Sequence, residues 1–262
     1  MTYRTASEDA ALDRLLTTGV GVGEHESYGD DPDQVCEWWG PPGAPVVVVV
    51  HGGYFRPTID RTHARPMAAA LASAGHRVAL LEYRRRPGQP TASVDDLERF
   101  DRHLRARGEA PAAWVGHSAG GTLVLLQGLA DGDAPDPRGV AGGRAESLIV
   151  ALAPVADLAR AARERLGDGA VVDWMGGLPG EVAAYRRLDP RALLDRGGRV
   201  DRLTVLHGEH DGTVPAEHTR DLPVRATILS GAHHFDVIDP ESPHFRTVLA
   251  ALSAHTDHAP GG

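Results

Sequence analysis

Four short stretches of the chain combine residue types that can carry nucleophilic acyl chemistry. The first is Gly116-His117-Ser118-Ala119-Gly120. It fits Gly-x-Ser-x-Gly, the turn in which a strand delivers a serine hydroxyl to the mouth of a helix. Bulk two residues either side of the serine would collide with strand or helix, so glycine suits both places. A helix starting at Ala119 aims its unpaired N–H groups at charge developing beside Ser118, which makes the Ala119 N–H a candidate oxyanion donor. The second stretch is His51-Gly52-Gly53-Tyr54, directly after five valines. Such a loop can offer the N–H of Gly53, with that of Tyr54 or Gly52, because bare backbone lets a carbonyl come close. The third is Gly208-Glu209-His210-Asp211-Gly212-Thr213-Val214-Pro215. Asp211 is the candidate acid that orients a histidine and stabilises its imidazolium. Glu209 competes locally, and Asp211 could instead cap a helix beginning at Pro215. The fourth is Gly231-Ala232-His233-His234-Phe235-Asp236. Either histidine could be the base, and only one can aim its ring at both partners.

These residues need elements to hold them. Val46–Val50 is a β-branched run without alternation, the pattern of a strand buried on both faces in a parallel sheet covered by helices. Further strands are expected at Gln34–Trp39, His76–Tyr83, Ala112–Val115, Ser147–Leu152, Leu203–His207 and Val224–Leu229. Helices are expected over 62–74, Val94–Arg107, Ala119–Leu129 and Phe245–His255, with Val94, Leu97, Phe100 and Leu104 at helical spacing in the second. Thr5-Ala6-Ser7-Glu8 has capping-box spacing ahead of a short helix at Ala10–Leu16. Gly19-Val20-Gly21-Val22-Gly23 reads as a flexible connection, since no strand precedes it as a dinucleotide site would require. Strands alternating with helices imply one α/β unit over 1–262, a mostly parallel, doubly wound sheet with helices on both faces. Residues 154–200, helix-rich and broken by Gly and Pro, form a possible small cap.

Composition narrows the chemistry further. The chain has 262 residues and a formal net charge of −9; all 27 of its basic residues are arginine, and asparagine is absent. No lysine means no P-loop, no Schiff base and no Ser-Lys hydrolysis. No asparagine means no Cys-His-Asn triad. The acidic balance argues against nucleic-acid binding, and no apolar run reaches membrane-spanning length. A single cysteine, Cys36, excludes an internal disulfide, and the polar start of the chain carries no apolar signal region. These features fit a cytoplasmic protein. No cofactor is expected. Fourteen histidines invite a metal, but no His-Glu-x-x-His occurs, His207 and His210 straddle a strand end, and Asp131, Asp133 and Asp136 lack the twelfth-position Glu of a calcium loop. No metal site is expected either.

The chain resembles the α/β-hydrolase superfamily, in the branch that holds kynurenine formamidases and small bacterial esterases. The resemblance rests on HGGYF at 51–55, Glu82-Tyr83-Arg84-Arg85, GHSAGG at 116–121, Ala153-Pro154-Val155-Ala156-Asp157-Leu158, the GEHDGTVP stretch and HFDVIDP at 234–240. It runs from about residue 28 to 250. It implies the α/β-hydrolase fold and the chain order Ser118, Asp211, His234 for nucleophile, acid and base. The family's histidine precedes Phe-Asp, which selects His234; His233 stands where a small residue is usual. Formamidases usually carry tryptophan where Phe55 stands here. The implied reaction is cleavage of a small ester or aryl-formamide through an acyl-enzyme on Ser118. The oxyanion would sit among Gly52, Gly53, Tyr54 and Ala119. A transacylase or tailoring enzyme with the same triad, or a binding protein that keeps the fold without turnover, are the alternatives. Phe55, His117, Trp174 and Met175 are candidate pocket residues, with Leu178 and Tyr185 beside them, and His117 could equally pack behind the nucleophile. Arg56 and Arg84–Arg86 either meet an anionic substrate group or form ion pairs, for instance Arg56 with Glu82.

Overall fold

The computed structural model describes residues 4–129 and 147–256. Its frame is one eight-stranded sheet, β1 (Glu24–Ser27), β2 (Val35–Trp39), β3 (Val46–Val50), β4 (Arg77–Leu81), β5 (Pro111–His117), β6 (Leu148–Leu152), β7 (Leu203–Gly208) and β8 (Thr227–Leu229). The strands lie in the order β1-β2-β4-β3-β5-β6-β7-β8. β1 and β2 run antiparallel to their neighbours, and every pair from β4 to β8 is parallel. The expected α/β-hydrolase architecture is therefore present.

The valine run shows why the sheet is covered twice. All five residues of β3 are buried. Val46, Val48 and Val50 enter one apolar core, and Val47 and Val49 the other. Side chains of a strand alternate between faces, so a strand without polar positions must have a core on each side. The first core is completed by α3 (Pro90–Ala106) through Val94, Leu97, Phe100 and Leu104, and by α4 (Ala119–Gly128). The second takes Ala11 and Leu15 of α1 (Ala6–Thr17), Met67 and Leu71 of α2 (Arg65–Ser73), and Phe245, Val248 and Leu252 of α10 (Phe245–Thr256).

Between β6 and β7 the chain folds into four short helices, α5 (Leu158–Arg163), α6 (Leu166–Met175), α7 (Ala184–Leu188) and α8 (Pro190–Asp195). They lie within residues 154–200, and their apolar side chains join the first core. α9 (Glu217–Arg220) follows the acid loop. No described helix is long and apolar enough to cross a membrane.

Three expectations change. The first helix starts at Ala6, not Ala10, because the capping box is formed: Thr5 Oγ1 accepts from Glu8 N and the Glu8 carboxylate from Thr5 N. The helix expected over 62–74 divides into a 3-10 turn, Arg61–Ala64, and α2. β1 was not expected at all; its sequence, Glu-His-Glu-Ser, is polar and half-exposed, without the alternation that signals a strand. The acidic loop at 131–136 lies outside the described residues.

Candidate active site

The site is assembled at the C-terminal ends of β3, β5, β6 and β7. Non-glycine residues with positive φ gather there: Tyr54 (52°) and Phe55 (56°) after β3, Ser118 (55°) after β5, Ala153 (45°) after β6. Such backbone costs about 1–3 kcal/mol per residue and persists where surrounding structure enforces it. At Ser118 the enforcement is visible. Its N–H donates to Leu152 O at 2.9 Å and its carbonyl accepts from Thr122 N at 3.2 Å. A Cβ on Gly116 would lie 2.2 Å from Gly120 O, and one on Gly120 would lie 2.1 Å from Val50 O. Both glycines of the pentapeptide are thus fixed by close backbone approach.

The loop after β3 meets the serine directly. A Cβ on Gly52 would stand 3.0 Å from Ser118 Cβ and 3.0 Å from His117 O. His51 holds the base of this loop. Its Nδ1 lies 2.7 Å from Gly52 O and its Nε2 3.0 Å from Glu82 Oε1, and Tyr83 Oη donates to His51 O at 3.0 Å. Glu82 is buried and also bonds Arg85 and, at 3.1 Å, Arg61. Burial would raise its carboxyl; the charges of His51 and Arg85 hold it well below the usual range. Arg56 joins this network only through its carbonyl, which accepts from Arg85 Nε at 3.1 Å. Its Nη2 donates to Gly167 O at 2.6 Å, so the expected Arg56–Glu82 pair gives way to Arg61 and Arg85.

Asp211 and His234 are brought together. His234 Nδ1 lies 2.7 Å from Asp211 Oδ2, with both side chains buried. Asp211 Oδ1 accepts from Thr213 N (2.9 Å) and Val214 N (2.6 Å). Those bonds close a turn within the acid loop and cap no helix: α9 begins only at Glu217, with Ala216 at its N-cap and no side-chain bond there, so the expected helix from Pro215 is not formed. Burial pushes Asp211 up, but the charge on His234 and bonds from His207 and His234 outweigh it and hold the carboxyl well below its ordinary value. His207 was weighed only as a metal ligand. Its Nε2 lies 3.1 Å from Asp211 Oδ2 and 2.8 Å from Val214 O, and its Nδ1 pairs with Thr219 Oγ1 at 2.7 Å. Among the described residues no group of three or more His, Cys, Asp or Glu is placed to hold a metal ion.

The neighbouring candidates separate cleanly. His233 turns to Asp236, 3.2 Å away, and Glu209 faces outward to Ser230 and Gly231 N. His117 is buried; its Nε2–H donates to His234 O at 3.0 Å, and its ring lies 4.5 Å from that of His234. Burial first, then repulsion from His234, pushes its pKa well below the ordinary value, so it stays neutral and holds the histidine loop rather than lining a pocket. Phe55 and Trp174 stack at 3.8 Å, 8° apart, and both wall a cavity of about 570 Å³ with Arg56, Pro87, Asp173 and Gly177. Met175 is buried in the core instead. Tyr54 Oη donates to Thr213 O at 2.5 Å, tying the loop after β3 to the acid loop.

Comparison with known proteins gives the family and bears out the fold. Residues 40–225 match the model of the family described as BD-FAE. The chain belongs to the BD-FAE family. The acetyl-hydrolase of Streptomyces hygroscopicus is 28% identical over 227 residues, 81% of this chain and 68% of that protein. The magnesium-chelatase 30 kDa subunit of Rhodobacter capsulatus is 32% identical over 173 residues, 53% of this chain and 58% of that protein, so the match spans less than two thirds of its length. Among solved structures, esterase B of Lactobacillus rhamnosis with a bound phosphonate has a TM-score of 0.73 at 20% identity, over 96% of this chain and 92% of that one. Esterase 2 of Thermogutta terrifontis phosphonylated by sarin gives 0.63 at 18%, over 91% and 94%. At these identities the structural likeness speaks for the fold. The BD-FAE match stops at 225, so Ser118 and Asp211 fall inside it and His234 outside.

Proposed function

We propose that the protein is a serine hydrolase that cleaves small carboxylic esters through an acyl-enzyme on Ser118. The observation that carries this reading is the His234–Asp211 contact at 2.7 Å, taken together with a serine on a positive-φ turn against which Gly52 is packed. With Nδ1 engaged by Asp211, His234 Nε2 is the nitrogen that takes the Ser118 proton as the hydroxyl attacks the carbonyl. The negative charge that develops on the carbonyl oxygen is met by the N–H of Ala119, at the start of α4, and by N–H groups of Gly52, Gly53 and Tyr54. The imidazolium then protonates the leaving alcohol, and water, activated by the same nitrogen, releases the acid. A small acyl group is favoured by the resemblance to an acetyl-hydrolase over four fifths of the chain.

An aryl-formamide would use the same machinery. A panel of short p-nitrophenyl esters and N-formylkynurenine, run on wild type and Ser118→Ala, tests both readings. The wild type should turn over acetyl or propionyl esters and label with a fluorophosphonate, and Ser118→Ala should lose both. A wild type that resists labelling and leaves the panel intact would sink the hydrolase reading. Turnover of the formamide alone would move the substrate class to amides.

A further inference from the structure

The helix α1 lies far from the serine in sequence, yet its Glu8 is fully buried. One carboxylate oxygen, Oε2, accepts from Thr5 N at 2.8 Å, the capping-box bond the spacing foretold. The other does something no cap requires. Oε1 accepts from Gly212 N at 2.8 Å and from His234 N at 3.3 Å. One side chain thus joins the amide that follows Asp211 to the amide of His234 itself. The helix is seated for this. Ala11 and Leu15 share the second core with Phe235 and Ile238, and Arg14 pairs with Asp239 of the histidine loop.

We propose that Glu8 is a positioning residue for the Asp211–His234 pair, a clamp that fixes the acid loop and the base loop relative to each other. This rests on the reading of Asp211 and His234 as acid and base. Buried N–H groups require acceptors, and a carboxylate is a stronger one than a carbonyl. His234 is then gripped at both ends of its own backbone, its N–H by Glu8 and its C=O by His117. Two loops held by one rigid group keep the Nδ1–Oδ2 distance short, and misplacement by an ångström costs as much as about 10²-fold in rate. Glu8 and His234 lie outside the segment matched by the family model and Gly212 inside it, so the clamp ties that segment to residues on either side of it.

The test compares Glu8→Ala, Glu8→Gln and Thr5→Ala with wild type, reading kcat, KM, the rate of fluorophosphonate labelling at Ser118 and the thermal midpoint. Thr5→Ala is the control: it removes the Oγ1 side of the capping box and leaves the clamp untouched. Glu8→Ala should lower kcat and the labelling rate about 10- to 100-fold with KM changed less than about threefold. Glu8→Gln, which keeps one acceptor oxygen, should recover part of the loss. Thr5→Ala should lose thermal stability but keep both rates within about twofold. Where Glu8→Ala fails to fold by circular dichroism, Glu8→Gln against Thr5→Ala decides: a slower Gln variant at equal midpoint upholds the clamp, and equal rates overturn it. Rates that follow the thermal midpoint across all variants also overturn it. A wild type that does not label overturns the hydrolase reading and the clamp with it. A labelled wild type with indifferent Glu8 variants overturns the clamp alone.

Discussion

Asp211 shows how one carboxylate can be specified from several directions. Backbone donors from Thr213 and Val214 take one oxygen, and His234 the other, with His207 beside it. The group is thereby immobilised before any substrate arrives, which is what an orienting acid must be. Asp211→Asn keeps the shape and most of the hydrogen bonding but presents the wrong partner to His234 Nδ1. It should lower kcat about 10³–10⁴-fold with KM nearly unchanged, by analogy with the equivalent change in other serine hydrolases. Steady-state kinetics on a short ester checks this, and a loss smaller than tenfold would remove Asp211 from the proposed role. Ser118, Asp211 and the Gly-rich loop were legible in the sequence because each sits in a short contiguous pattern. The choice of His234 over His233 rests on the resemblance; in the structure His234 contacts Asp211 and His233 contacts Asp236. The roles of His207 and Glu8 were not legible. His207 follows no motif, and the capping box explained Glu8 so fully that its second oxygen raised no question.

At the scale of elements, the glycines of the turn, the valine run and the helical spacing of α3 marked out the sheet and its cover. β1 and the division at Arg65 escaped because neither changes the hydrophobic period. The cap was visible only as a region, and its internal order depends on a buried acid. Asp189 is the N-cap of α8 and also accepts from Leu158 N and Ala159 N at the start of α5, so it binds the two ends of the cap together. Burial pushes its carboxyl up to about 6, against the pull of those backbone bonds. A folded-state value above the ordinary one of about 4 means that the protonated acid is the better partner for the fold. Its contribution is whole below pH 4 and is lost as pH rises through 6. The loss is of the order of 3 kcal/mol. Thermal unfolding should show wild type losing stability between about pH 4 and 6.5 relative to Asp189→Asn, whose own neutral side chain has nothing to titrate. Parallel curves for the two proteins across that window would refute the assignment.

At the scale of the molecule, the absence of lysine has a structural counterpart. Beneath the loop after β3 the carboxylates of Glu37 and Glu82 are held by the guanidinium groups of Arg61, Arg65 and Arg85, with His51 also on Glu82. Guanidinium groups keep their charge at any pH the fold survives and bind carboxylates through a planar fork, so the network sets a permanent frame for the HGG loop. The strand order then brings residues 52, 118, 211 and 234 to one edge of that frame. Non-local pairing of this kind is slow to form, because loop closure comes before the contacts that reward it.

The bond between Glu8 and the His234 amide spans 226 positions of the chain. During synthesis Glu8 is made well before His234 and waits for that partner. Helix α1 therefore has no complete docking site until Phe235, Ile238 and α10 have emerged. A nascent chain arrested before residue 234 should take up no fluorophosphonate, although its nucleophile, oxyanion loop and acid have all been translated. A chain arrested far enough on to free α10 should label at the rate of the finished protein. Measured on stalled complexes, activity should switch on in one late step, so that the order of translation itself keeps the nucleophile silent until the fold is closed.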